Sequence, residues 1–285
     1  MYKSKTYSYD YDAYEEGKSS KTMMGDILAD PELPELEEIV IGSWGDSWEG
    51  SAQIMLDEMV ANKEKFAHIK SLFVGDMDFE ECEVSWIIQG DYEKVIGALP
   101  NLEKLTIKGS TDLSLGKVAH DKLESLEIIC GGLPSEVIKS IQEAKLPSLK
   151  SLQLYLGEEN YGFDGDADTI KELLEHSDFP KLEHLGICDS DIQDAVTEVV
   201  LDSKYMKQIT SLALSMGTLT DKGGQLLLEK MPAFGNIKTL DLHYHFMSDE
   251  MMKDLEKLPM EVDVDEQNQP DEWNGEVYYY AMLTE

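Results

Sequence analysis

A six-residue pattern, apolar-x-x-apolar-x-apolar, recurs along most of the chain and limits the possible folds more than any other feature. Eight copies are clear, and successive copies begin 21 to 33 residues apart. They read LEEIVI (36–41), IKSLFV (69–74), LEKLTI (102–107), LESLEI (123–128), LKSLQL (149–154), LEHLGI (182–187), ITSLAL (209–214) and IKTLDL (237–242). A degenerate last copy, MEVDVD (260–265), lacks the leading leucine. Such a series predicts an array of equivalent units.

Each copy predicts a short strand, because its last apolar residues alternate with polar ones and would bury one face. The segments 51–66, 134–145, 166–177 and 248–259 have apolar residues three or four apart, which is typical of amphipathic helices. The last of these has Ser248 at a plausible N-cap. One strand–helix unit cannot bury its apolar side alone, so we expect stacked units with about eight or nine parallel strands. The short interval between 102 and 123 predicts a loop or a single turn.

The ends of such an array need covers, because an open last unit exposes core and strand edges. Residues 1–30 contain five tyrosines, whose spacing predicts a short strand or extended segment laid on the first unit. The sequence GEVYYYAML (275–283) predicts a closing strand that packs aromatic rings over the last unit. We therefore expect one continuous domain, with an N-terminal cap (1–30), the repeat array (31–265) and a C-terminal cap strand (266–285).

Several motifs extend beyond the six-residue pattern. They are IGSWG (41–45), EECEVSWIIQGD (80–91), LSLG (113–116), GGLP (131–134), LYLG (154–157), LSMGTLTDKG (214–223) and LDLHYHFMSDEM (240–251). Together they resemble the ribonuclease-inhibitor type of leucine-rich-repeat protein, and more narrowly a family of bacterial cytoplasmic leucine-rich-repeat proteins of unassigned function. The resemblance implies an α/β fold: a right-handed leucine-rich-repeat solenoid, or horseshoe, with a parallel concave sheet, helices on the convex side and terminal caps. It implies no reaction and no cofactor.

The charge of the chain is strongly unbalanced. It has 58 acidic residues against 24 basic ones, all of them lysine, for a net charge of −34. Phosphate recognition relies on arginine forks and basic stripes, so direct binding to nucleic acid or to an anionic membrane is not expected. The chain has no apolar run of transmembrane length, and its N-terminus lacks the apolar core of a secretory signal. Three widely spaced cysteines fit a reducing compartment, so we expect a cytoplasmic protein. We also expect it to be a monomer.

The concave face of the predicted array is the first candidate site. Positions four and six of each copy should point into the core, and positions three, five and seven onto this face. Exposed aromatic and apolar side chains there are typical of binding hot spots, so we predict that the face binds a protein partner without enzymatic activity, cofactor or metal. The candidate contact residues are Phe73, Lys104, Lys108, Glu127, Ile129, Gln153, Tyr155, His184, Ser215, Asp241 and His243.

Catalytic and metal-binding interpretations of this face are weaker. Ser215 and His243 occupy position seven of adjacent copies, but Asp241 is not placed behind the imidazole, and nothing indicates an oxyanion hole. A metal site built from His184, Cys188 and His243 would span roughly 10 Å at the usual strand spacing, which is too far for one ion. We therefore predict neither catalytic nor metal-binding residues.

The segment LDLHYHF (240–246) contains two histidines that resemble a chelating pair. His243 falls at position seven and should stand on the concave face. His245 falls at position nine, where such repeats turn the chain and place an inward-pointing polar side chain bonded to the backbone. The two imidazoles are therefore predicted to point into different environments.

A rim of loops after the first strands is the second candidate site. Loops that follow parallel strands commonly carry functional residues. The candidates at this rim are tryptophans and acidic residues, namely Trp44, Trp48, Glu80, Glu81, Glu83 and Trp86. The alternative function is accordingly an enzyme or small-ligand binder at the rim. A third possibility is an acidic mimic of nucleic acid that binds a basic protein.

Overall fold

The computed structural model describes residues 2–283 and contains one parallel sheet of ten strands in chain order. The strands are β1 (Ser4–Tyr7), β2 (Glu38–Ile41), β3 (Ser71–Val74), β4 (Lys104–Lys108), β5 (Ser125–Ile129), β6 (Ser151–Gly157), β7 (His184–Ser190), β8 (Ser211–Ala213), β9 (Thr239–Asp241) and β10 (Glu261–Asp263). Each repeat therefore adds one strand beside the previous one, which confirms the predicted α/β leucine-rich-repeat solenoid.

The strand register aligns equivalent positions of the repeat. Leu72 of β3 is level with Leu105 of β4, and Leu105 is level with Leu126 of β5. All three side chains are at most 1% exposed, as are most residues at positions four and six. The leucine and isoleucine ladders formed in this way supply the main favourable free energy of the fold, about 25 cal/mol per Å² of apolar surface buried.

Helices occupy most of the segments between strands. They are α1 (Tyr11–Glu15), α2 (Ser20–Ala29), α3 (Gln53–Ala61), α4 (Lys63–Phe66), α5 (Glu93–Ala98), α6 (Ser135–Gln142), α7 (Ala167–His176), α8 (Gln193–Leu201), α9 (Asp221–Lys230) and α10 (Asp249–Leu255). Neighbouring helices pack side by side from α6 to α10 and form the convex layer. All four predicted helical segments contain a helix, and Ser248 caps α10 by accepting a hydrogen bond from the backbone N–H of Met251. None of the helices described is long and apolar enough to cross a bilayer.

The N-terminal segment contributes the additional strand. Strand β1 pairs in parallel with β2, so the sheet has ten strands rather than the expected eight or nine. The hydroxyl of Tyr7 donates to Asp30 at 2.7 Å and that of Tyr9 donates to Asp26 at 2.6 Å. These bonds link the strand segment to α2, which covers the first repeat with buried methionines and isoleucine.

The C-terminal segment differs from the predicted closing strand. Strands β11 (Asp271–Trp273) and β12 (Glu276–Tyr278) pair with each other in an antiparallel hairpin, separate from the main sheet. The hairpin residues are exposed, and the ring of Tyr279 packs edge-on against Phe246 with centroids 5.1 Å apart. Beyond this contact the chain runs back to strand β7, because its backbone groups find hydrogen-bond acceptors there.

Candidate binding surface

Most of the predicted contact residues lie close together on the concave face. Lys104 and Lys108 are on β4, Glu127 and Ile129 on β5, Gln153 and Tyr155 on β6, and His184 on β7. The register sets Lys108 beside Ile129 and Glu127 beside Gln153. Phe73 lies on β3, one strand before this group, and Asp241 lies on β9. Apart from the exposed Lys104, these side chains are partly buried and partly open to solvent.

Three adjacent strands are connected by a hydrogen-bonded side-chain network, Tyr155–Gln153–His184–Ser211. The amide of Gln153 donates to the Tyr155 hydroxyl at 2.7 Å, and its Oε1 lies 2.9 Å from Nε2 of His184. The other ring nitrogen of His184 lies 2.9 Å from the hydroxyl of Ser211. Burial lowers the pKa of His184 and raises that of Tyr155, so both groups are held in their neutral forms near pH 7. The network fixes these side chains in one arrangement.

The two lysines of β4 have different surroundings. Lys104 is exposed at the start of the strand. Lys108 is partly buried, and its ammonium group donates a hydrogen bond to the backbone carbonyl of Met77. Lys104 is therefore the lysine better placed to reach a ligand, whereas Lys108 holds the loop that follows β3.

Ser215, Asp241 and His243 come together without forming a nucleophile–base pair. The Ser215 hydroxyl lies 3.5 Å from Oδ2 of Asp241 and 3.6 Å from the sulfur of Cys188. Nδ1 of His243 lies 2.5 Å from Oδ1 of Asp241. The carboxylate thus lies between the hydroxyl and the imidazole, whereas a triad needs the imidazole in the middle. Ser215 is 2% exposed, so its predicted exposure on the concave face is wrong.

The same region contains a group of side chains that could hold a metal ion. Asp241, His243 and Asp263 each offer one ligand atom, and the three atoms lie within 4.8 Å of one another. This group shares only His243 with the combination of His184, Cys188 and His243 that the sequence suggests. Oδ1 of Asp263 already accepts a backbone hydrogen bond from Asp265 at 3.0 Å, and Asp263 is exposed. The geometry therefore allows an ion without requiring one.

The two histidines of LDLHYHF do point into different environments, as predicted. His245 is fully buried, and its Nε2 lies 2.9 Å from the backbone carbonyl of Val264. Its Nδ1 accepts a hydrogen bond from the backbone N–H of Met247 at 3.0 Å. Burial lowers the pKa of His245, so the ring is a neutral bridge between two backbone segments.

The rim differs from its prediction at Trp44. This side chain is fully buried, and its Nε1–H donates to the carbonyl of Gly50 at 2.8 Å, so Trp44 belongs to the core. Trp48 is partly buried against Tyr14, with ring centroids 5.1 Å apart. Trp86 remains 60% exposed, and a neighbouring phenylalanine that was not predicted, Phe79, is 74% exposed.

Two shallow cavities lie at this rim. Glu80 and Glu81 line one of about 200 Å³, together with Trp48 and residues of the N-terminal segment. Glu83 and Trp86 line the other, of about 340 Å³, together with Trp48 and Phe79. Five of the six predicted rim residues therefore lie around adjoining depressions, and the sixth, Trp44, does not.

Sequence reasoning missed Asp189, which lies near the end of β7. Its side chain is fully buried, its backbone adopts a left-handed φ of 54°, and its Oδ1 accepts hydrogen bonds from the backbone N–H groups of Met282 and Leu283 at 2.8 and 2.9 Å. An acidic residue directly after a buried repeat was the only signal in the sequence. Asp76 has the same position in another copy, so that signal does not distinguish Asp189.

The ten-stranded parallel sheet, with helices on its outer side and a partly open concave face, defines a leucine-rich-repeat protein. Comparison with solved structures finds a Bacteroides fragilis protein, known from a crystal structure, with 42% sequence identity and a TM-score of 0.90. The match covers 99% of this chain and 78% of that chain. The chain therefore belongs to the same family as this Bacteroides fragilis protein.

Two further solved structures are more distant. An internalin from Listeria monocytogenes is 17% identical with a TM-score of 0.37, and the match covers 83% of this chain and 63% of that one. A leucine-rich-repeat protein from Leptospira interrogans is 13% identical with a TM-score of 0.26, and the match covers 92% of this chain and 82% of that one. No protein-family model and no curated protein matches the chain.

Proposed function

We propose that this protein is a non-enzymatic binding scaffold that recognises a protein partner through its concave face. The observation that carries the proposal is the Tyr155–Gln153–His184–Ser211 network, which orders the centre of that face before any partner arrives. Side chains that are already fixed lose less conformational entropy on binding, so more of the contact energy appears as affinity. Partly exposed Phe73, Ile129 and Tyr155 supply apolar and aromatic surface around the network.

The chemistry of the face favours a polar protein surface as the ligand. Gln153 and Ser211 keep hydrogen-bonding capacity beyond the network, whereas both ring nitrogens of His184 are used within it. Lys104 offers a positive charge at one end. The opposite end carries Asp241 and the exposed Asp263 on β9 and β10. A partner that crosses the whole face would meet a positive charge on β4 and negative charge on the last two strands, which would set its orientation.

We further propose the narrower family placement and location. Helices of up to ten residues join many of the strands, which supports the ribonuclease-inhibitor type of repeat. All three cysteines are free and buried, which fits a protein of the cytoplasm. The arrangement of Ser215, Asp241 and His243 supports a role without catalysis, since the carboxylate separates the other two groups.

The second candidate function is binding at the rim, where exposed Phe79 and Trp86 adjoin the acidic residues Glu80, Glu81 and Glu83. Aromatic faces beside carboxylates attract cationic groups, so a basic ligand fits this surface better than an acidic one. The two surfaces make different predictions for the same experiment, which can therefore choose between them.

The experiment compares affinity-tagged variants for capture of partners from extracts of the native host, measured by quantitative mass spectrometry. Phe73→Asp and Tyr155→Asp each place a charge in the concave face and should weaken capture at least 30-fold, as expected for loss of about 2 kcal/mol at a hot spot. Ile54→Asp is the matched control, because Ile54 is a 47% exposed apolar residue on helix α3 and not on a strand of the concave sheet. Circular dichroism confirms that each variant folds.

The outcomes separate the proposals clearly. Loss of the same partner with Phe73→Asp and Tyr155→Asp, but not with Ile54→Asp, supports the concave face. Loss with Phe79→Ala and Trp86→Ala, while the concave variants still capture the partner, would move the function to the rim. Capture that is equal in all five folded variants would refute both.

A further inference from the structure

The C-terminal segment makes a specific contact with the sheet. The backbone N–H groups of Met282 and Leu283 both donate to Oδ1 of Asp189, and the N–H of Met282 also lies 3.0 Å from the carbonyl of Met216. Asp189 lies near the end of β7, and Met216 follows β8. Residues 279–283, which we call the tail, therefore lie across the carboxyl ends of two neighbouring strands. The contact joins residues 93 and 94 positions apart in sequence.

On the sheet side, the contact is formed by a buried acidic side chain. The Asp189 side chain has no solvent exposure, and its second oxygen, Oδ2, is buried without a hydrogen-bond partner among the described residues. A buried carboxylate with an unsatisfied oxygen destabilises the fold, so its presence here calls for an explanation. Its left-handed backbone is also uncommon for a residue other than glycine. The buried side chain and the left-handed backbone of Asp189 hold its Oδ1 at the strand ends, where it faces the backbone of the tail.

Few side-chain contacts attach the tail to the rest of the protein. The hairpin before it, residues 271–278, is exposed throughout, and within the tail Tyr279, Tyr280 and Met282 are 42%, 49% and 39% exposed. Ala281 is the buried residue, at 4% exposure. Most of the attachment is therefore main-chain hydrogen bonding plus one small side chain and the Tyr279–Phe246 ring contact. Little apolar surface must be exposed for the tail to leave.

We propose that Asp189 and the adjoining strand ends form a peptide-binding site, that the tail occupies it as an internal ligand, and that an extended segment of the partner displaces the tail. This proposal specifies the chemistry of one segment of the partner. It rests on the proposed scaffold function, which supplies the partner itself. Recognition runs through two successive backbone N–H groups, so the fitting segment is extended, has a small residue in place of Ala281, and carries no proline at the next two positions.

Tethering explains why the site is filled in the intact protein. A segment attached by a short linker has an effective concentration on the order of millimolar. A free peptide with the same contacts competes poorly against it unless the tail is weakened. A partner that also contacts the concave face gains enough affinity to exclude the tail, which makes the tail a selective cover.

The test uses a labelled peptide of residues 275–283, GEVYYYAML, with an amidated end, and measures its binding to the full-length protein by fluorescence anisotropy. Met282→Pro combined with Leu283→Pro removes both tail N–H groups and should raise peptide affinity at least tenfold over wild type. Met282→Ala combined with Leu283→Ala is the matched control, since it keeps both N–H groups and should remain as closed as wild type. A peptide N-methylated at the last two residues should bind none of the three.

Release of the tail is measured on the same samples by limited proteolysis, and thermal melts check that the array stays folded. If the proline variant shows a released tail and binds the unmodified peptide selectively, the proposal stands. It is overturned if the proline variant binds the peptide no better than wild type, if the N-methylated peptide binds equally well, or if the tail of the proline variant resists proteolysis as well as the wild-type tail does. None of these results depends on the concave-face partner, so failure here leaves the scaffold proposal separately testable.

Discussion

Replacing Asp189 with Asn measures what burial of this carboxyl group costs the protein. Burial raises the pKa of Asp189 from its usual 3.8 to about 7, against the lowering effect of the Leu283 and Met282 N–H groups. Because the pKa is higher in the folded than in the unfolded protein, the folded state binds the proton more tightly. The associated stability is fully present below about pH 3.8 and is lost as the pH rises to about 7. A shift of this size corresponds to roughly 4 kcal/mol.

Asparagine has nearly the same shape, keeps an acceptor at Oδ1 and tolerates the left-handed backbone, but it never becomes charged. We expect Asp189→Asn to match wild type at pH 4 and to be more stable by up to about 4 kcal/mol at pH 8. Among the neighbouring titratable groups, Cys130 and Cys188 have pKa values raised to about 12, so both are neutral over this range. The Tyr155 pKa is also raised, and the nearby Glu158 carboxyl group adds to the rise in the Asp189 pKa.

The assay is urea unfolding of both proteins at pH 4, 6 and 8, followed by circular dichroism. Subtracting wild type from variant cancels the titration of the other acidic residues. Asp168→Asn, at an exposed position in the first turn of α7, is the control and should change the free energy of unfolding by only a few tenths of a kcal/mol. A variant-minus-wild-type difference that stays constant from pH 4 to pH 8 would refute the reasoning.

Two further substitutions test the packing of the array by the same urea assay. Gly157→Ala should destabilise the protein by several kcal/mol, because a Cβ there would lie 1.6 Å from the carbonyl oxygen of Gly131 and the backbone φ is +69°. The control is Gly97→Ala in α5, which has open space around it and should be neutral or stabilise by about 0.5–1 kcal/mol. A neutral Gly157→Ala would contradict the close approach. His245→Ala should cost about 3 kcal/mol at pH 8. Its lowered pKa means that wild-type stability falls as the pH drops below 6.5, so the difference should shrink at pH 5; a difference that grows would contradict this.

The repeat was sufficient to predict the sheet because the same pattern determines the strands, their buried positions and their register. Position four of one copy must be buried, and its register neighbour in the next copy must be buried as well, so Leu72, Leu105 and Leu126 could only align. The same regularity placed the concave candidates Gln153 and His184 on adjacent strands. It did not reveal that they bond to each other, since side-chain hydrogen bonds depend on rotamers that periodicity does not specify.

Trp44 shows a prediction error that the repeat itself explains. It occupies position nine of the first copy, the position at which His245 was correctly predicted to turn inward. Applied evenly, that rule places the indole in the core, where it is found with its N–H bonded to the Gly50 carbonyl. Aromatic residues near loops suggest binding and so favour a rim position for Trp44, but a buried repeat position is the stronger constraint.

The Asp189 contact lay beyond what sequence periodicity can predict. It joins Met282 and Leu283 to a strand nearly a hundred residues earlier, and the partner groups are backbone N–H groups that every residue except proline carries. The identities of Met282 and Leu283 do not indicate that their backbone N–H groups bond to Asp189. The predicted aromatic cover likewise depended on where the hairpin points, which is decided by the turn around Asn274 and Gly275, both with positive φ.

The charge of the protein and its proposed binding surface are separated in space. Strands β3 to β8 contain only Glu127 and Asp189 among the 58 acidic residues of the chain, and Asp189 is buried. The acid is therefore concentrated on the helices, the loops and the terminal strands, where solvent and salt screen it. The centre of the concave face instead presents neutral groups, His184 and Tyr155 among them, held uncharged by burial. Under the proposed scaffold function, recognition at this centre would be selected by hydrogen-bond geometry and shape, and the surrounding acid would mainly exclude anionic competitors.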